Sequence, residues 1–256
     1  DLPSRKPART LVLAHTGEVR GLAFTKDGLQ LFADTTDGVV WCWNCESWKK
    51  APVLSDVSNV LSLRISPDGK TYLSWKDNKF QAYDLDAAST RTLGNGTNGF
   101  INTEFDYPGP KPSYGVVGYT PDGKNIIAQQ RYDLVVVPLD GTSPRNLTMG
   151  DGTKREVRFR PVRVEPIDSS APRRVRSGRE FDVTKPLTLA AYGEYTKKSG
   201  FYRLEGGTLR ELLFDDAVFS NPVRAEKADR FVFTRQTFVE FPDLRVSGGS
   251  FANSRK

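Results

Sequence analysis

The sequence predicts an all-β protein, a β-propeller built of four-stranded antiparallel blades, and three observations support this fold class. Short apolar runs alternate with polar residues between turn signals, and no long stretch keeps the 3.6-residue period of an amphipathic helix. The aromatic content, Phe 15, Tyr 9 and Trp 4, favours strands over helices. One turn sequence recurs at the spacing of propeller blades. At about 42 residues a blade, the chain holds roughly six blades, including partial ones.

The recurring turn carries the strongest signal. Its three copies are Thr25-Lys26-Asp27-Gly28, Ser66-Pro67-Asp68-Gly69 and Thr120-Pro121-Asp122-Gly123. The aspartate can accept a hydrogen bond from the backbone that follows it and the glycine tolerates positive φ, so each copy predicts a tight hairpin. The first two aspartates are 41 residues apart, as in a four-stranded blade, and the next two are 54 apart. The third unit therefore carries an insertion, for which the stretch from Asn95 to Ser113 fits as an exposed loop.

The first unit resembles a WD repeat. His15, Thr35, Asp37 and Trp43 stand where that motif links side chains in a structural hydrogen-bond network. The second and third units lack the His and the Trp, which indicates a propeller of a looser kind. We predict a single propeller domain over residues 1–256, with three WD- or TolB-like blades in 1–150 and divergent blades in 151–256. In the divergent part, turns are predicted at Lys198-Ser199-Gly200 and Glu205-Gly206-Gly207.

Composition and charge exclude several classes. The chain is 38% hydrophobic and 27% charged, which is ordinary for a globular protein and argues against wholesale disorder. No apolar run approaches the ~20 residues of a membrane helix, so no membrane span is predicted. The net charge of +6 could serve an anionic partner, but it is spread along the chain, and we predict no specific binding of nucleic acid.

Candidate catalytic and metal-binding residues are few. His15 is the single histidine, and its WD-like context explains it as structural; no G-x-S-x-G nucleophile turn occurs. Cys42 and Cys45 form one C-x-x-C, too few ligands for zinc, in a run that reads as a strand and its end. The adjacent Asp215 and Asp216 would point to opposite faces of a strand and are predicted to end a hairpin. We therefore predict no catalytic residue, no cofactor and no metal ligand in this chain.

A basic segment from Lys154 to Arg179 is the densest charged patch. It is rich in Arg and Pro, with Phe159 as its one aromatic residue, so stacking on unpaired bases is poorly served. The segment predicts one strand followed by an exposed loop. Its use would be a solvated surface or a docking surface for an acidic partner domain.

From Tyr114 to Phe251 the sequence resembles the non-catalytic propeller of bacterial prolyl oligopeptidase family serine peptidases. Gln130-Arg131-Tyr132-Asp133-Leu134 is similar to the family's "RYDIW", although Val135 replaces the usual Trp. The other matching pieces follow in order: Gly118 to Asp122 before it, then Asp140-Gly141, Arg145 to Thr148, Pro186 to Leu189, Thr196 to Tyr202, Phe233 to Arg235 and Phe241 to Leu244.

The resemblance implies a propeller that caps an α/β-hydrolase domain, absent from this chain, and restricts the access of peptides to it. The partners would then be that hydrolase domain and peptide substrates in transit, and the compartment would be the bacterial periplasm. The insertion from Asn95 to Ser113 and the basic segment are the surfaces expected to face the hydrolase. The alternative is a stand-alone propeller scaffold for protein–protein interaction, akin to TolB-type or WD-repeat modules.

Overall fold

A computed structural model describes residues 17–25, 27–54, 64–165, 180–251 and 253–256. Within these ranges the chain forms five antiparallel sheets, four with four strands and one with three, and each sheet is a meander of consecutive strands. This arrangement confirms the predicted fold class. No helix in the described ranges is long and apolar enough to cross a membrane.

The bounds of the elements follow the blade pattern in chain order. The first two sheets consist of β1 (Val19–Phe24), β2 (Gln30–Thr35), β3 (Val40–Asn44) and β4 (Lys50–Leu54), then β5 (Arg64–Ile65), β6 (Thr71–Lys76), β7 (Lys79–Asp84) and β8 (Ser89–Thr92). The third sheet and the short helix after it are β9 (Val116–Tyr119), β10 (Asn125–Gln129), β11 (Leu134–Pro138), β12 (Arg145–Asn146) and α1 (Asp151–Arg155). The last two sheets are β13 (Val157–Pro161), β14 (Leu187–Gly193), β15 (Ser199–Glu205) and β16 (Thr208–Asp215), then β17 (Val218–Arg224), β18 (Arg230–Gln236) and β19 (Asp243–Gly248).

Each of the first four sheets packs one face on the next sheet along the chain. The buried side chains at the four successive interfaces are, in order, Phe32, Val40 and Tyr72; Trp75, Phe80, Ile126 and Val137; Ile127, Leu134, Phe159 and Leu189; and Phe201, Phe231 and Phe233. Burial of one such side chain stabilises a fold by about 1.5–3 kcal/mol. The core is therefore distributed between sheets, as expected of radially repeated blades.

The three recurring turns join the first two strands of the first three sheets, as predicted. In the third copy Thr120 Oγ1 donates to Asp122 Oδ1, the Lys124 amide donates to the same oxygen at 3.1 Å, and the Asn125 amide donates to Thr120 Oγ1 at 3.2 Å. The other two copies repeat these contacts with Thr25 and Asp27 and with Ser66 and Asp68. The hydroxyl at the first position therefore closes the turn together with the aspartate, in addition to the predicted roles of the aspartate and the glycine.

The fourth and fifth sheets lack this turn sequence between their first two strands, as far as the structure describes them. In the fifth, the Ala225 amide still donates to the Arg230 carbonyl at 2.9 Å, but no hydroxyl or Asp-Gly pair is present. In the fourth, β13 and β14 are joined by a long connection, of which residues 166–179 lie outside the described ranges. Its two described ends bond to other sheets, because Val164 O accepts from the Arg224 amide and the Phe181 amide donates to Tyr119 O. The predicted strand of the basic segment is confirmed as β13.

The meander gives every sheet two distinct ends. One end, here the Asp-Gly end, carries the turns between first and second strands; a Cβ added to Gly69 would lie 2.5 Å from Thr25 Cγ2, so neighbouring turns touch. The other end carries the turns between second and third strands and the connections from sheet to sheet. We call it the connection end, and the candidate site lies there.

Candidate functional site

The candidate site is a cluster of two arginines and two glutamates at the connection end, Glu104, Arg131, Arg158 and Glu194. The Arg131 guanidinium donates to both carboxylate oxygens of Glu194, and Arg158 Nη2 donates to Glu194 Oε2 at 3.1 Å. Arg158 also bonds to Glu104, which lies 3.8 Å from Arg131 Nη2. Both glutamates therefore bridge both arginines. We refer to these four residues as the arginine–glutamate cluster.

Four separate elements bring the cluster together. Arg131 lies in the turn between β10 and β11, Arg158 in β13, Glu194 in the turn between β14 and β15, and Glu104 in the insertion of residues 95–113. Arg131 and Glu194 are 63 residues apart in sequence. No local motif could have shown this pairing, because it depends on how the third and fourth sheets pack.

The insertion is more ordered than the predicted exposed loop. Phe100 is buried in the core between the second and third sheets, and Ile101 forms an antiparallel bridge with Ser113. Trp75 Nε1 of β6 donates to the Lys111 carbonyl at 3.0 Å. The expectation of an exposed loop is confirmed for most of residues 95–113, but buried Phe100 and the Trp75–Lys111 hydrogen bond anchor the insertion on the second sheet.

Hydrogen bonds to two arginines dominate the electrostatics of the cluster. The pKa of Glu194 is lowered to about 2, first by the hydrogen bond from Arg131 and further by those from Tyr132 and Arg158. Burial, together with the hydrogen bond to Glu194, raises the pKa of Tyr132 to about 12. A carboxylate and a phenol with these pKa values do not exchange protons near pH 7. The cluster is suited to rigid recognition and not to acid–base chemistry.

A third arginine fixes the backbone beneath the cluster. Arg160 donates to the carbonyls of Phe159, Gln130 and Arg131 at 2.7, 3.1 and 3.0 Å. Burial of the guanidinium lowers the pKa of Arg160, and the neighbouring charge of Arg158 lowers it further. Arg160 therefore holds the turn that presents Arg131.

The segment resembling RYDIW has a structural role. Asp133 is 1% exposed and accepts hydrogen bonds from Thr148 Oγ1, the Gly152 and Thr153 amides and Thr153 Oγ1. The carboxylate thus satisfies the second and third amides of α1, which have no partner within the helix. Asp133 ties the connection between the third and fourth sheets to the turn that carries Arg131.

Three large apolar side chains project from the same end. Tyr107 follows Glu104 in the insertion, Met149 follows Thr148 beside α1, and Tyr195 is adjacent to Glu194, and all three are largely exposed. Exposed charged side chains of both signs lie within five residues of them in the sequence, among them Asp106, Lys154 and Lys197. The connection end therefore offers apolar contacts around a fixed charged centre.

The other residues considered from sequence are not brought together into a site. Cys42 packs with the core between the first two sheets, whereas Cys45, past the end of β3, packs with Trp43 on the opposite face. Burial, and to a lesser extent the neighbouring Cys45, raises the pKa of the Cys42 thiol to about 11, which favours its protonated form at pH 7. Among the described residues no group of three or more His, Cys, Asp or Glu side chains is placed to hold a metal ion.

Two further expectations have mixed outcomes. Thr35 Oγ1 donates to Asp37, as in a WD-type network, but His15 lies outside the described residues. Asp215 is the last residue of β16, and Asp216 lies in the link from the fourth to the fifth sheet and not in a hairpin. The prediction that this pair ends a hairpin is confirmed for Asp215, which pairs with Ser199 at the open end of the β15–β16 hairpin, and Asp216 lies just beyond it.

Glu194→Gln should reduce stability at pH 7 by about 1–2 kcal/mol, because two arginines lose an ionised acceptor. The pKa of Glu194 is below its usual value of 4.5, so its ionised form stabilises the fold above about pH 4.5 and the contribution is lost as pH falls toward 2. Urea unfolding at pH 7, 4.5 and 3 should show a shallower pH dependence in the variant. Glu205→Gln, at an exposed strand end, is the control, and identical pH dependence of wild type and Glu194→Gln would contradict the assignment.

Comparisons with known proteins address the fold. No family model and no curated protein matches the chain. Among solved structures, an oligogalacturonate lyase in complex with manganese has a TM-score of 0.51 at 10% identity, covering 93% of this chain and 64% of that one. The chain has a β-propeller fold.

Two TolB structures are also similar. One, from Agrobacterium tumefaciens, has a TM-score of 0.40 and 14% identity over 94% of this chain and 80% of its own; the other, from Acinetobacter baumannii, has 0.45 and 13% over 93% and 54%. This chain thus spans less than two thirds of the lyase and of the second TolB protein. The likeness to the lyase, at 10% identity, shows the fold alone, and the link to prolyl oligopeptidases stays a prediction.

Proposed function

We propose that the chain is a non-catalytic propeller scaffold that binds another protein through its connection end. The observation that carries the proposal is the exposure of Tyr107, Met149 and Tyr195 beside the arginine–glutamate cluster. Protein interfaces combine exposed aromatic residues, Met and Arg at their centre with a polar rim. A scaffold of this kind needs no reacting group of its own.

The charge on this end favours a protein over a polyanion. Glu104, Glu194 and Asp106 stand among the basic residues, and the cluster arginines already have carboxylate partners. Nucleic acids and anionic membranes bind surfaces on which uncompensated Lys and Arg dominate. A protein partner can instead meet mixed charges with matching charges of its own.

The rigidity of the site also supports binding. The bidentate contact of Arg131 with Glu194, the carbonyl contacts of Arg160 and the capping of α1 by Asp133 fix the three segments before a partner arrives. Preorganisation of this kind lowers the entropy lost on association. We infer that the cluster positions the three apolar side chains.

Site-specific photo-crosslinking in the native host tests this function. A benzoyl-phenylalanine placed at Tyr107 or Tyr195 should give a discrete adduct with another protein, whereas the same group at Lys124, on the Asp-Gly end, should not. Glu194→Gln in the Tyr107-labelled chain should weaken the adduct if the cluster positions the surface. Equal labelling from both ends, or no adduct from either position, would refute the proposal.

The second candidate is the accessory propeller of a serine peptidase, favoured by the ordered matches from Tyr114 to Phe251. It predicts that the adduct contains an α/β-hydrolase domain, made separately or encoded in the same protein. It also predicts no peptide hydrolysis by the present chain, because loss of a whole triad lowers kcat by about 10⁶. An adduct with any other protein supports the scaffold.

A further inference from the structure

The outer face of the fifth sheet is unusually apolar. Val218, Val223, Val232, Leu244 and Val246 point away from the fourth sheet and are between 39% and 65% exposed. Register places Val232 of the central strand opposite both Val223 and Val246. The middle of the face is therefore a continuous row of three valines across all three strands.

The inner face of the same sheet packs against the fourth sheet and against Phe251. Phe231 and Phe233 alternate with Val232 on β18 and pack against Phe201 of the fourth sheet and Phe251. An antiparallel sheet with one packed face ordinarily presents polar residues on the other. The fifth sheet instead has an apolar row of valines on its outer face beside the polar Ser220, Thr234 and Gln236, and none of the described residues covers that row.

A hairpin extends this surface beyond the sheet. Between β18 and β19, Phe238 and Phe241 are 104% and 92% exposed, with Val239 beside them. The hairpin has a fixed shape, because Arg235 pairs with Glu240, the Thr237 amide donates to the Glu240 carbonyl at 3.2 Å, and the Glu240 amide donates to Thr237 Oγ1 at 3.1 Å. The apolar tip is held out in a defined position and is not a frayed loop end.

The size of the patch matches one side of a stable interface. The eight apolar residues of the face and the hairpin together expose roughly 900 Å², where monomers rarely show patches above 300–600 Å² and a standard interface takes about 800 Å² from each partner. Sheet faces stack about 10 Å apart with interdigitated side chains, and a flat row of valines fits an identical row. Two charged residues border the row of valines, Arg230 at one end of β18 and Arg255 opposite Val246 at the outer edge of β19, so neither lies at the centre of the face.

We propose that the fifth sheet is a homodimer interface, in which two copies pack outer face to outer face with the hairpin of each covering part of the other. The occupant is a second copy of this chain, joined by a two-fold axis that uses the same patch twice. The hairpin joins the second and third strands of the fifth sheet and so also lies at the connection end, but Tyr107, Met149 and Tyr195 belong to segments of the second to fourth sheets, and the proposal does not depend on them.

The test is the oligomeric state of the full chain, by sedimentation velocity and light scattering from about 1 to 200 µM. The expected result is a reversible monomer–dimer equilibrium. Val232→Lys, which places a charge at the centre of the interface, should weaken dimerisation by about 100-fold or more. A second variant, Phe238→Ser with Phe241→Ser, alters only side chains that project into solvent and should weaken it as well, with unchanged circular dichroism and Tm in the dilute monomer.

The control is Tyr107→Lys, which adds the same charge at the connection end and should leave the dimer intact. A chain that stays monomeric across the range, or a dimer that survives both patch variants, would overturn the proposal. Carbene footprinting adds a further reading. If Phe238 and Val246 are shielded in a monomer, another part of the same chain covers the face and the proposal is wrong.

Discussion

Asp133→Ala should destabilise the protein by about 3 kcal/mol, among the largest effects expected of a side chain outside the apolar core. The buried carboxylate serves four donors at 2.5–3.0 Å, and alanine would leave the Gly152 and Thr153 amides and two hydroxyls without it. Unpaired buried donors cost about 1–3 kcal/mol each, although water entering the space can offset part of the loss. Equilibrium urea unfolding at pH 7 measures the difference.

Asp140→Ala is the matched control, because that carboxylate also accepts from a threonine amide and hydroxyl, but in an exposed turn. Its loss should be clearly smaller, because water can replace the carboxylate in an exposed turn. Asp133→Asn should fall between the two, since an amide keeps one acceptor oxygen and turns its NH₂ toward donors. Equal losses for Asp133→Ala and Asp140→Ala would show that the cap of α1 is not a structural centre.

Gly200→Ala should cost more than about 3 kcal/mol or prevent folding. A Cβ at this position would lie 1.8 Å from the Leu213 carbonyl oxygen and 2.6 Å from its carbon, both backbone atoms of the paired strand β16. Relief requires that β15 and β16 separate where the pairing already shifts register, between Phe201 and Tyr202. The measurement is the yield of soluble chain together with Tm.

Gly248→Ala provides the comparison in another strand, β19. The nearest atom to its added Cβ would be the flexible Arg230 Nη1 at 3.8 Å, so the methyl group fits and the change should lie within about 0.5 kcal/mol. A soluble Gly200→Ala protein with wild-type Tm would mean that the two strands approach less closely than described.

The same glycine shows where sequence reasoning is limited. Lys198-Ser199-Gly200 is predicted as a turn, but Ser199 and Gly200 begin β15 and the preceding turn runs over residues 194–198. Glycine is used here for close approach of two backbones and not for positive φ. A glycine required for close backbone approach and a glycine required for positive φ look the same in the sequence. Only the pairing of β15 with β16 shows which role Gly200 has.

Local chemistry explains what could be predicted. The hydrogen bonds of Asp27, Asp68 and Asp122 are made within their own turns. The turns and their spacing could therefore be predicted without knowledge of the tertiary structure. Trp41 and Trp43 lie on one face of β3 and Cys42 on the other, as strand alternation requires. The insertion also lies between the second and third sheets, as the wider spacing predicts.

The candidate site could not be predicted in the same way. Glu104, Arg158 and Glu194 are separated by 36 residues or more, and each is an ordinary surface residue when read alone. Their partnership arises from the packing of the third sheet on the fourth and from the anchoring of the insertion by Phe100. Arg155 and Arg158 look equivalent in the sequence of the basic segment. In the structure Arg158 belongs to the arginine–glutamate cluster, whereas Arg155 bonds to Tyr202 and Glu211.

The contact between neighbouring Asp-Gly turns affects how further blades could be added to the propeller by duplication. Gly69 abuts Thr25 of the preceding blade, and the Cβ that Gly123 lacks would face Pro67 of the blade before it at 3.6 Å. Both sides of this contact between neighbouring blades, the glycine and the residue that it abuts, thus lie within one four-residue turn sequence. A tandem duplication of a blade would copy both contacting residues together. The new blade would therefore fit its neighbour at the Asp-Gly end, while residues at its connection end could change without disturbing that contact.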